Sequence, residues 1–210
     1  MDYDLAVSLS IGVNVSSHQF SQPTLVERIK QILAATGLNS QDLTLEITEN
    51  AIVEAKEASK VRLREIRDLG VKLAIDDFGT GYSSLSYLSN FPFNTLKIDR
   101  SFVDNMEVKR ENRKIVQALV SLAQNIGMNV VAEGIETTEQ TALLEKLQCQ
   151  YGQGYLFSKP LDAKAIEEIF KNSPSSTFDK NLIKSYREYQ TTSARASTTL
   201  VMRNPSIPLT

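Results

Sequence analysis

Short apolar runs alternate with helix-period segments through most of this chain, and this order constrains the fold more than any other feature. The pattern predicts strands near residues 6–15, 43–48, 71–76, 95–99, 129–132 and 151–157. Between and after them it predicts helices near residues 23–36, 54–69, 83–89, 109–126, 138–147 and 163–170. Strands that are separated by crossover helices run parallel to one another. We therefore expect an α/β fold built on a parallel sheet.

Composition and charge exclude several classes of protein. The 210 residues carry 23 Lys and Arg against 25 Asp and Glu, so no basic field exists to hold duplex nucleic acid. One cysteine, Cys149, excludes an internal disulfide, and one histidine, His18, cannot build a histidine metal site. No apolar run reaches the roughly 18 residues of a membrane span. These features predict a cytoplasmic protein with no membrane segment in this chain.

The amino-acid composition of the sequence changes after residue 171. Residues 172–177 combine Asn, Ser, Pro and Thr, and residues 191–199 are polar and of low complexity. Such a composition cannot bury enough apolar surface to fold. We expect a domain over residues 1–171 and a flexible, disordered tail over residues 172–210, with a short helix near residues 178–189.

Polar residues stand at the ends of five predicted strands, on the side opposite the aliphatic residues. Side chains alternate across a strand, so aliphatic neighbours indicate which way a polar residue points. In a barrel of parallel strands, polar residues at the carboxyl ends face the mouth. The residues at these positions are Asn14, Glu46, Asp76, Lys97 with Asp99, and Glu133, and Asp77 directly follows Asp76.

An asparagine among several carboxylates is a ligand set for hard divalent cations. Such oxygen ligands suit Mg²⁺, Mn²⁺ or Ca²⁺ better than zinc. One acid at a strand end could equally be a helix cap or half of a salt bridge, but five converging strand ends favour a metal site. From the residues alone, the chemistry is metal-assisted phosphoester or related hydrolysis, with enolase-like metal chemistry on a barrel as the competing class.

Six ordered motifs in the chain resemble those of EAL domains, the bacterial phosphodiesterases that open cyclic di-GMP to linear 5'-pGpG. The resemblance covers roughly residues 5–170 and implies a TIM-like (β/α) barrel with two Mg²⁺ or Mn²⁺ ions at its mouth. The matching motifs are Asn14-Val15-Ser16, Glu46-Ile47-Thr48-Glu49, the stretch 76–85 that begins Asp76-Asp77-Phe78-Gly79, Lys97-Ile98-Asp99, Glu133-Gly134-Ile135-Glu136 and Gln153-Gly154.

The resemblance also implies roles for individual residues. Asn14, Glu46 and Asp76 match ligands of the first metal, and Asp76 would bridge to a second metal that Asp77 also holds. Glu133 matches the proposed general base, with Lys97 near the attacking water and Asp99 beside them.

The remaining matches concern substrate and the loop of residues 77–84. Glu49 matches the residue that anchors this loop, which contains Gly79, Thr80 and Gly81 and contributes to dimerisation in the family. The implied partners are cyclic di-GMP and a second copy of the chain, if the domain is complete. Glu136 and Gln153 match further active-site positions.

One hallmark of the family has no counterpart in this chain. The Glu-Ala-Leu motif on the first strand, its metal-binding glutamate and a nearby phosphate-binding arginine cannot be matched, and six predicted strands fall short of a closed barrel of eight. We expect an incomplete barrel with two open edges, poor solubility and very low activity of this chain alone. Three interpretations stay open: a phosphodiesterase, a non-catalytic regulatory module, and a decaying gene fragment.

Overall fold

A half-barrel of six parallel strands forms the centre of the molecule. The computed structural model describes residues 10–80, 88, 90–166, 182–185 and 200–203. The parallel strands are β1 (Ile11–Val15), β2 (Leu43–Thr48), β3 (Lys72–Phe78), β4 (Thr95–Ile98), β5 (Asn129–Ala132) and β6 (Tyr151–Gln153). Each pairs with its neighbour in chain order. The predicted incomplete α/β barrel is therefore confirmed.

Helices connect these strands, and α1, α3 and α4 begin within two residues of a strand's carboxyl end. They are α1 (Ser17–Ser21), α2 (Leu25–Thr36), α3 (Glu49–Asp68), α4 (Arg100–Val103), α5 (Arg110–Asn125) and α6 (Thr138–Lys146). The Thr48 side chain caps α3 and the Asp99 side chain caps α4, so these helices start where the polar strand ends lie. Residues 163–166 are also helical. Among the described residues, no helix is both long enough and apolar enough to cross a membrane.

The core lies between the sheet and the helices. Ile47, Leu73 and Leu96 on successive strands are fully buried, and Leu63 and Ile66 of α3 pack into the same cluster. These aliphatic residues alternate along their strands with the polar positions of Glu46 and Lys97. Burial of the aliphatic side chains against the helices leaves the polar ones to face the barrel interior.

Strand β3 is longer and less regular than the sequence predicts. It runs to Phe78, whereas the pattern predicts an end at residue 76. Its pairing with β4 shifts register between Ile75 and Phe78, which is the mark of a β-bulge. Asp76 and Asp77 thus lie inside the strand, within the bulge.

Two short strands in the segment after residue 171 extend the sheet. Strand β8 (Leu200–Arg203) pairs antiparallel with β6, and β7 (Leu182–Ser185) pairs antiparallel with β8 and contacts β1. The predicted helix near residues 178–189 is wrong at these four positions of β7. The edge of β6, which the sequence predicts to be open, is covered by β8, because an antiparallel strand supplies the missing backbone partners. The boundary of the domain at residue 171 stays a prediction.

Candidate active site

A single buried lysine joins carboxylates from three other strands. Lys97 Nζ lies 2.5 Å from Glu46 Oε2 on β2, 2.9 Å from Asp76 Oδ1 on β3 and 2.7 Å from Glu133 Oε1 just after β5. Lys97 is only 3% exposed. Burial by itself would lower the pKa of this ammonium, but Glu133, Glu46 and Asp76 hold the pKa well above its ordinary range. Lys97 is therefore a permanent internal cation.

Three carboxylates come close enough together to share an ion. Ligand oxygens of Asp76, Asp77 and Glu133 all lie within 4.8 Å of one another. Glu46 is joined to this group through Lys97 Nζ. The sequence predicts Glu133 as a base and the two aspartates as ligands, and the structure brings all three to one point. Their separate roles stay predictions.

The bulge in β3 explains how two consecutive aspartates reach one point. Neighbouring residues on a regular strand face opposite sides of the sheet. Asp77 has a φ of 53°, in the left-handed region, which turns the chain between Asp76 and Phe78. A non-glycine residue in this region costs free energy and is typical of functional sites. The irregular backbone thus places both aspartates near Glu133.

Two carboxyl groups of this site, those of Glu133 and Asp77, have raised pKa values. Burial raises the pKa of Glu133 from 4.5 to about 8, and Lys97 offsets only part of this effect. Burial, followed by the charges of Asp76 and Asp99, also raises the pKa of Asp77. One ammonium thus faces the four carboxylates of Glu46, Asp76, Asp77 and Glu133.

The donor set fits a hard divalent cation. Carboxylate oxygens are the ligands that Mg²⁺, Mn²⁺ and Ca²⁺ take, and a cation would replace the protons that the raised pKa values of Asp77 and Glu133 favour. The charge imbalance within a buried pocket is the physical reason for such an ion. Asp76 and Asp77, with Glu133 within 4.8 Å of both, are the residues that fit such an ion.

Asn14 stands at the edge of this arrangement. It is half-buried on β1 and lies in register with Glu46 on β2. In-register residues on parallel strands point to the same face, so Asn14 and Glu46 share the barrel interior. The structure thus supports the predicted neighbourhood of these two residues, while their role as ligands stays a prediction.

Asp99 and Glu136 lie farther out at the rim. Asp99 accepts hydrogen bonds from the Ser101 amide at 2.9 Å and from its hydroxyl, and so caps α4. Its charge contributes to the raised pKa of Asp77. Glu136 is exposed and pairs with Arg100, with Oε1 2.8 Å from Nη2. The sequence motifs give no indication of Arg100, although it directly follows Asp99.

The loop after β3 is held at its first glycine. The Gly79 amide donates to Glu49 Oε2 at 3.4 Å, and the ring of Phe102 lies so close that a Cβ at Gly79 would be 2.9 Å from Cε2. Thr80 donates its hydroxyl hydrogen to the Asp77 carbonyl at 2.9 Å. Gly81 and most of the predicted helix near residues 83–89 lie outside the described residues.

Gln153 ends β6 beside the cluster. Its strand pairs with β5 with Gly152 opposite Ala132, so Gln153 lies next in line to Glu133. The Gln153 side-chain oxygen is buried and has no hydrogen-bond partner among the described residues. The Gln153 carbonyl accepts the Ile135 amide at 3.0 Å, which joins this strand end to the segment after Glu133.

Parallel strands with an acidic cluster at their carboxyl ends are typical of (β/α)-barrel proteins, whose active sites lie at the carboxyl-terminal end of the barrel. The sequence profile of the EAL domain matches residues 3–160. The chain therefore belongs to the EAL domain family.

Curated relatives agree with this assignment. Cyclic di-GMP phosphodiesterase NbdA of Pseudomonas aeruginosa is 41% identical over 163 residues, which cover 78% of this chain and 21% of NbdA. Cyclic di-GMP phosphodiesterase PdeR of Escherichia coli is 34% identical over 168 residues, which cover 80% of this chain and 25% of PdeR. The chain thus spans about a fifth to a quarter of the length of these relatives.

Several solved structures are similar to this chain in both fold and sequence. The PaMucR phosphodiesterase in complex with c-di-GMP superposes with a TM-score of 0.72 at 39% identity, covering 75% of this chain and 64% of that one. The EAL domain of Mycobacterium smegmatis DcpA gives 0.74 at 38% identity, covering 79% and 75%. Klebsiella pneumoniae BlrP1, in a manganese and cyclic di-GMP complex, gives 0.68 at 32%, covering 72% and 39%.

Proposed function

We propose that this chain is the phosphodiesterase part of a bacterial signalling protein, and that it hydrolyses cyclic di-GMP to linear 5'-pGpG. The observation that carries the proposal is the convergence of Asp76, Asp77 and Glu133 within 4.8 Å, next to buried Lys97, at the mouth of an EAL-family half-barrel. The relatives named as cyclic di-GMP phosphodiesterases support the substrate.

Two Mg²⁺ or Mn²⁺ ions are the proposed cofactors. Asn14, Glu46 and Asp76 would hold one ion, and Asp76 and Asp77 would hold the other, with Glu133 next to them as the base. The closeness of Asp76 and Asp77 supports the second set, and the register of Asn14 with Glu46 supports the first. Ions in such a pair supply an acidified water and stabilise charge on the oxygens of a phosphodiester.

The protein's own residues move the proton and balance the charge. Glu133 is the proposed base, because its carboxylate lies in the same group as those of Asp76 and Asp77 and can accept a proton from a water bound there. Lys97 contributes a fixed positive charge that offsets negative charge developing on the phosphate. Asp99 caps α4 and so holds the start of this helix at the rim of the site.

The loop that follows Asp77 is the proposed substrate-responsive element. Glu49 holds it at the Gly79 amide, and Thr80 fastens it to the Asp77 carbonyl. The predicted homodimer through residues 77–84, the contribution of Gly81, and substrate contacts from Glu136 and Gln153 belong to this proposal. Action in the cytoplasm also belongs to it.

Cleavage of cyclic di-GMP with Mn²⁺ tests the proposal. Product should form with the unchanged chain, at a low rate, and disappear in Glu133→Ala because the proposed base is removed. Glu145→Ala is the matched control, since Glu145 is exposed on α6. Cleavage that survives Glu133→Ala would show that another group takes the proton.

A regulatory module that binds the nucleotide without cleaving it is the second candidate. The ion pairs of Lys97 with three carboxylates favour a pocket that is ordered before any ligand binds. Calorimetry would detect binding of cyclic di-GMP to such a module. If the nucleotide binds and its concentration stays unchanged over hours, the result supports the regulatory module and contradicts the phosphodiesterase.

A further inference from the structure

Arg100 links the segments that follow two neighbouring strands of the site. Its Nη2 lies 2.8 Å from Glu136 Oε1, and its Nε lies 3.3 Å from Asp104 Oδ2. Glu136 belongs to the segment after β5, whereas Asp104 directly follows α4. One guanidinium thus joins the end of β4 to the end of β5.

The stem of Arg100 also packs directly against the backbone next to Glu133. Ile98 on β4 is in register with Ala132 on β5, so Arg100 and Gly134, each two residues further on, lie opposite each other. A Cβ at Gly134 would come to 2.7 Å from Arg100 Cβ and even nearer to its Cγ. Gly134 also has a φ of 70°, so glycine meets both the space and the backbone requirement.

The segment around Glu133 is already fixed from other directions. The Glu133 amide donates to the Ile98 carbonyl at 3.1 Å, and the Ile135 amide donates to the Gln153 carbonyl at 3.0 Å. The Glu136 amide donates to Gln140 Oε1 at 2.8 Å. These bonds hold the backbone on the sheet side and the α6 side. Arg100 covers the side that faces α4.

We propose that Arg100 is a positioning residue, which clamps residues 133–136 against the end of β4 and thereby fixes the Glu133 carboxylate in the acidic cluster. The consequence for ion binding rests on the proposed function, because it requires that Glu133 act in that cluster. The clamp itself rests on the two ion pairs and on the contact with Gly134.

The exposure of the Arg100 side chain determines whether its loss affects global stability or only the local opening of residues 133–136. The Arg100 side chain is 53% exposed, and exposed ion pairs contribute little to global stability. Local opening of a segment is a separate and lower-energy event than global unfolding. Loss of Arg100 should therefore loosen residues 133–136 while the thermal midpoint of the chain stays unchanged.

Hydrogen exchange and Mn²⁺ titration on the full chain test the clamp. In Arg100→Ala, amides of Glu133, Ile135 and Glu136 should exchange about tenfold faster, and calorimetry should show Mn²⁺ bound roughly tenfold more weakly, as for other residues that orient metal ligands. Arg100→Lys should recover part of both effects. Arg67→Ala is the control, because Arg67 is an exposed arginine of α3 that takes no part in the clamp.

Unchanged exchange of residues 133–136 in Arg100→Ala would overturn the proposal. So would a lower thermal midpoint with faster exchange along the whole chain, because that result describes an ordinary stabilising residue. An unchanged chain that binds no Mn²⁺ would contradict the proposed function, while the exchange measurement would still decide the role of Arg100.

Discussion

Strands β3 and β4 are neighbours that end at the same rim, yet they end in opposite ways. β3 passes through a bulge in which Asp77 takes a left-handed conformation and meets Asp76 and Glu133. β4 runs straight into α4, with Lys97 paired to three carboxylates and Asp99 used as the helix cap. The end of β3 thus carries negative charge on an irregular backbone, whereas the end of β4 supplies the Lys97 cation from a regular backbone.

The difference shows how the fold tolerates an acidic pocket. Close carboxylates in a buried site repel one another and disfavour folding. Lys97 balances part of that charge from a strand with regular geometry, so of these two strands only β3 has an irregular backbone. We therefore expect changes on β4 to weaken the protein without ions, and removal of charge from β3 to strengthen it.

Lys97→Met should have the largest effect. It leaves Glu46, Asp76 and Glu133 buried without their cation, and removing one partner of a buried ion pair costs about 3–5 kcal/mol of unfolding free energy. Urea unfolding without divalent ions measures this loss. Lys72→Met, on the same sheet but at the start of β3, is the control and should change little. Equal losses in both variants would contradict the central position of Lys97.

The metal-free chain should lose stability as pH rises from about 4.5 to 8. The pKa of Glu133 is higher in the folded state than in the unfolded state, so the folded state holds this proton more tightly and the advantage disappears as pH rises through the folded pKa. Urea midpoints across this range check the trend. Glu133→Gln should flatten it, and an equally steep trend in that variant would assign it to another group.

Affinity for Mn²⁺ should move in the opposite direction over the same range. An ion competes with the proton on Glu133, so binding should tighten as pH rises toward 8. Calorimetric titrations at several pH values measure the change. Affinity that does not depend on pH would place Glu133 outside the ion site.

Asp77→Asn should stabilise the metal-free chain modestly. It removes a carboxylate whose pKa burial and the charges of Asp76 and Asp99 raise, while asparagine tolerates the left-handed backbone. Asp77 is partly exposed, so solvent screens this repulsion and the gain should stay below about 1 kcal/mol, which corresponds to a rise in thermal midpoint of less than roughly 4 °C for a domain of this size. Asp68→Asn, on an exposed helix end, is the control. A lower midpoint would mean that Asp77 is not under repulsion.

Asp99→Ala should have the smallest effect, a loss of about 0.5–1 kcal/mol from the cap of α4. Asp99→Ser keeps a capping oxygen and should restore most of the stability. Thermal unfolding of the two variants side by side separates the cap from the charge. If serine restores nothing, the charge of Asp99 is what matters.

The sequence alone predicts most of the fold, and it predicts that the polar residues of the site come together at the carboxyl ends of the strands. Alternation places Glu46 and Lys97 opposite buried leucine and isoleucine residues, and parallel strands must bring their carboxyl ends together. The β-bulge at Asp77 could not be predicted, because a run of strand-forming residues followed by acids fits a regular strand equally well. Arg100 was missed because its partners, Glu136 and Gly134, become neighbours only through the pairing of β4 with β5.

The position of Lys97 indicates that the pocket forms before an ion binds. With its ammonium already among the acids, the pocket has an internal counterion and takes shape while the chain folds. We expect ion loading to be a later, reversible step on a preformed site, unlike small zinc domains, in which the metal drives folding. The chain should therefore keep its fold when divalent ions are withdrawn and bind them again when they return.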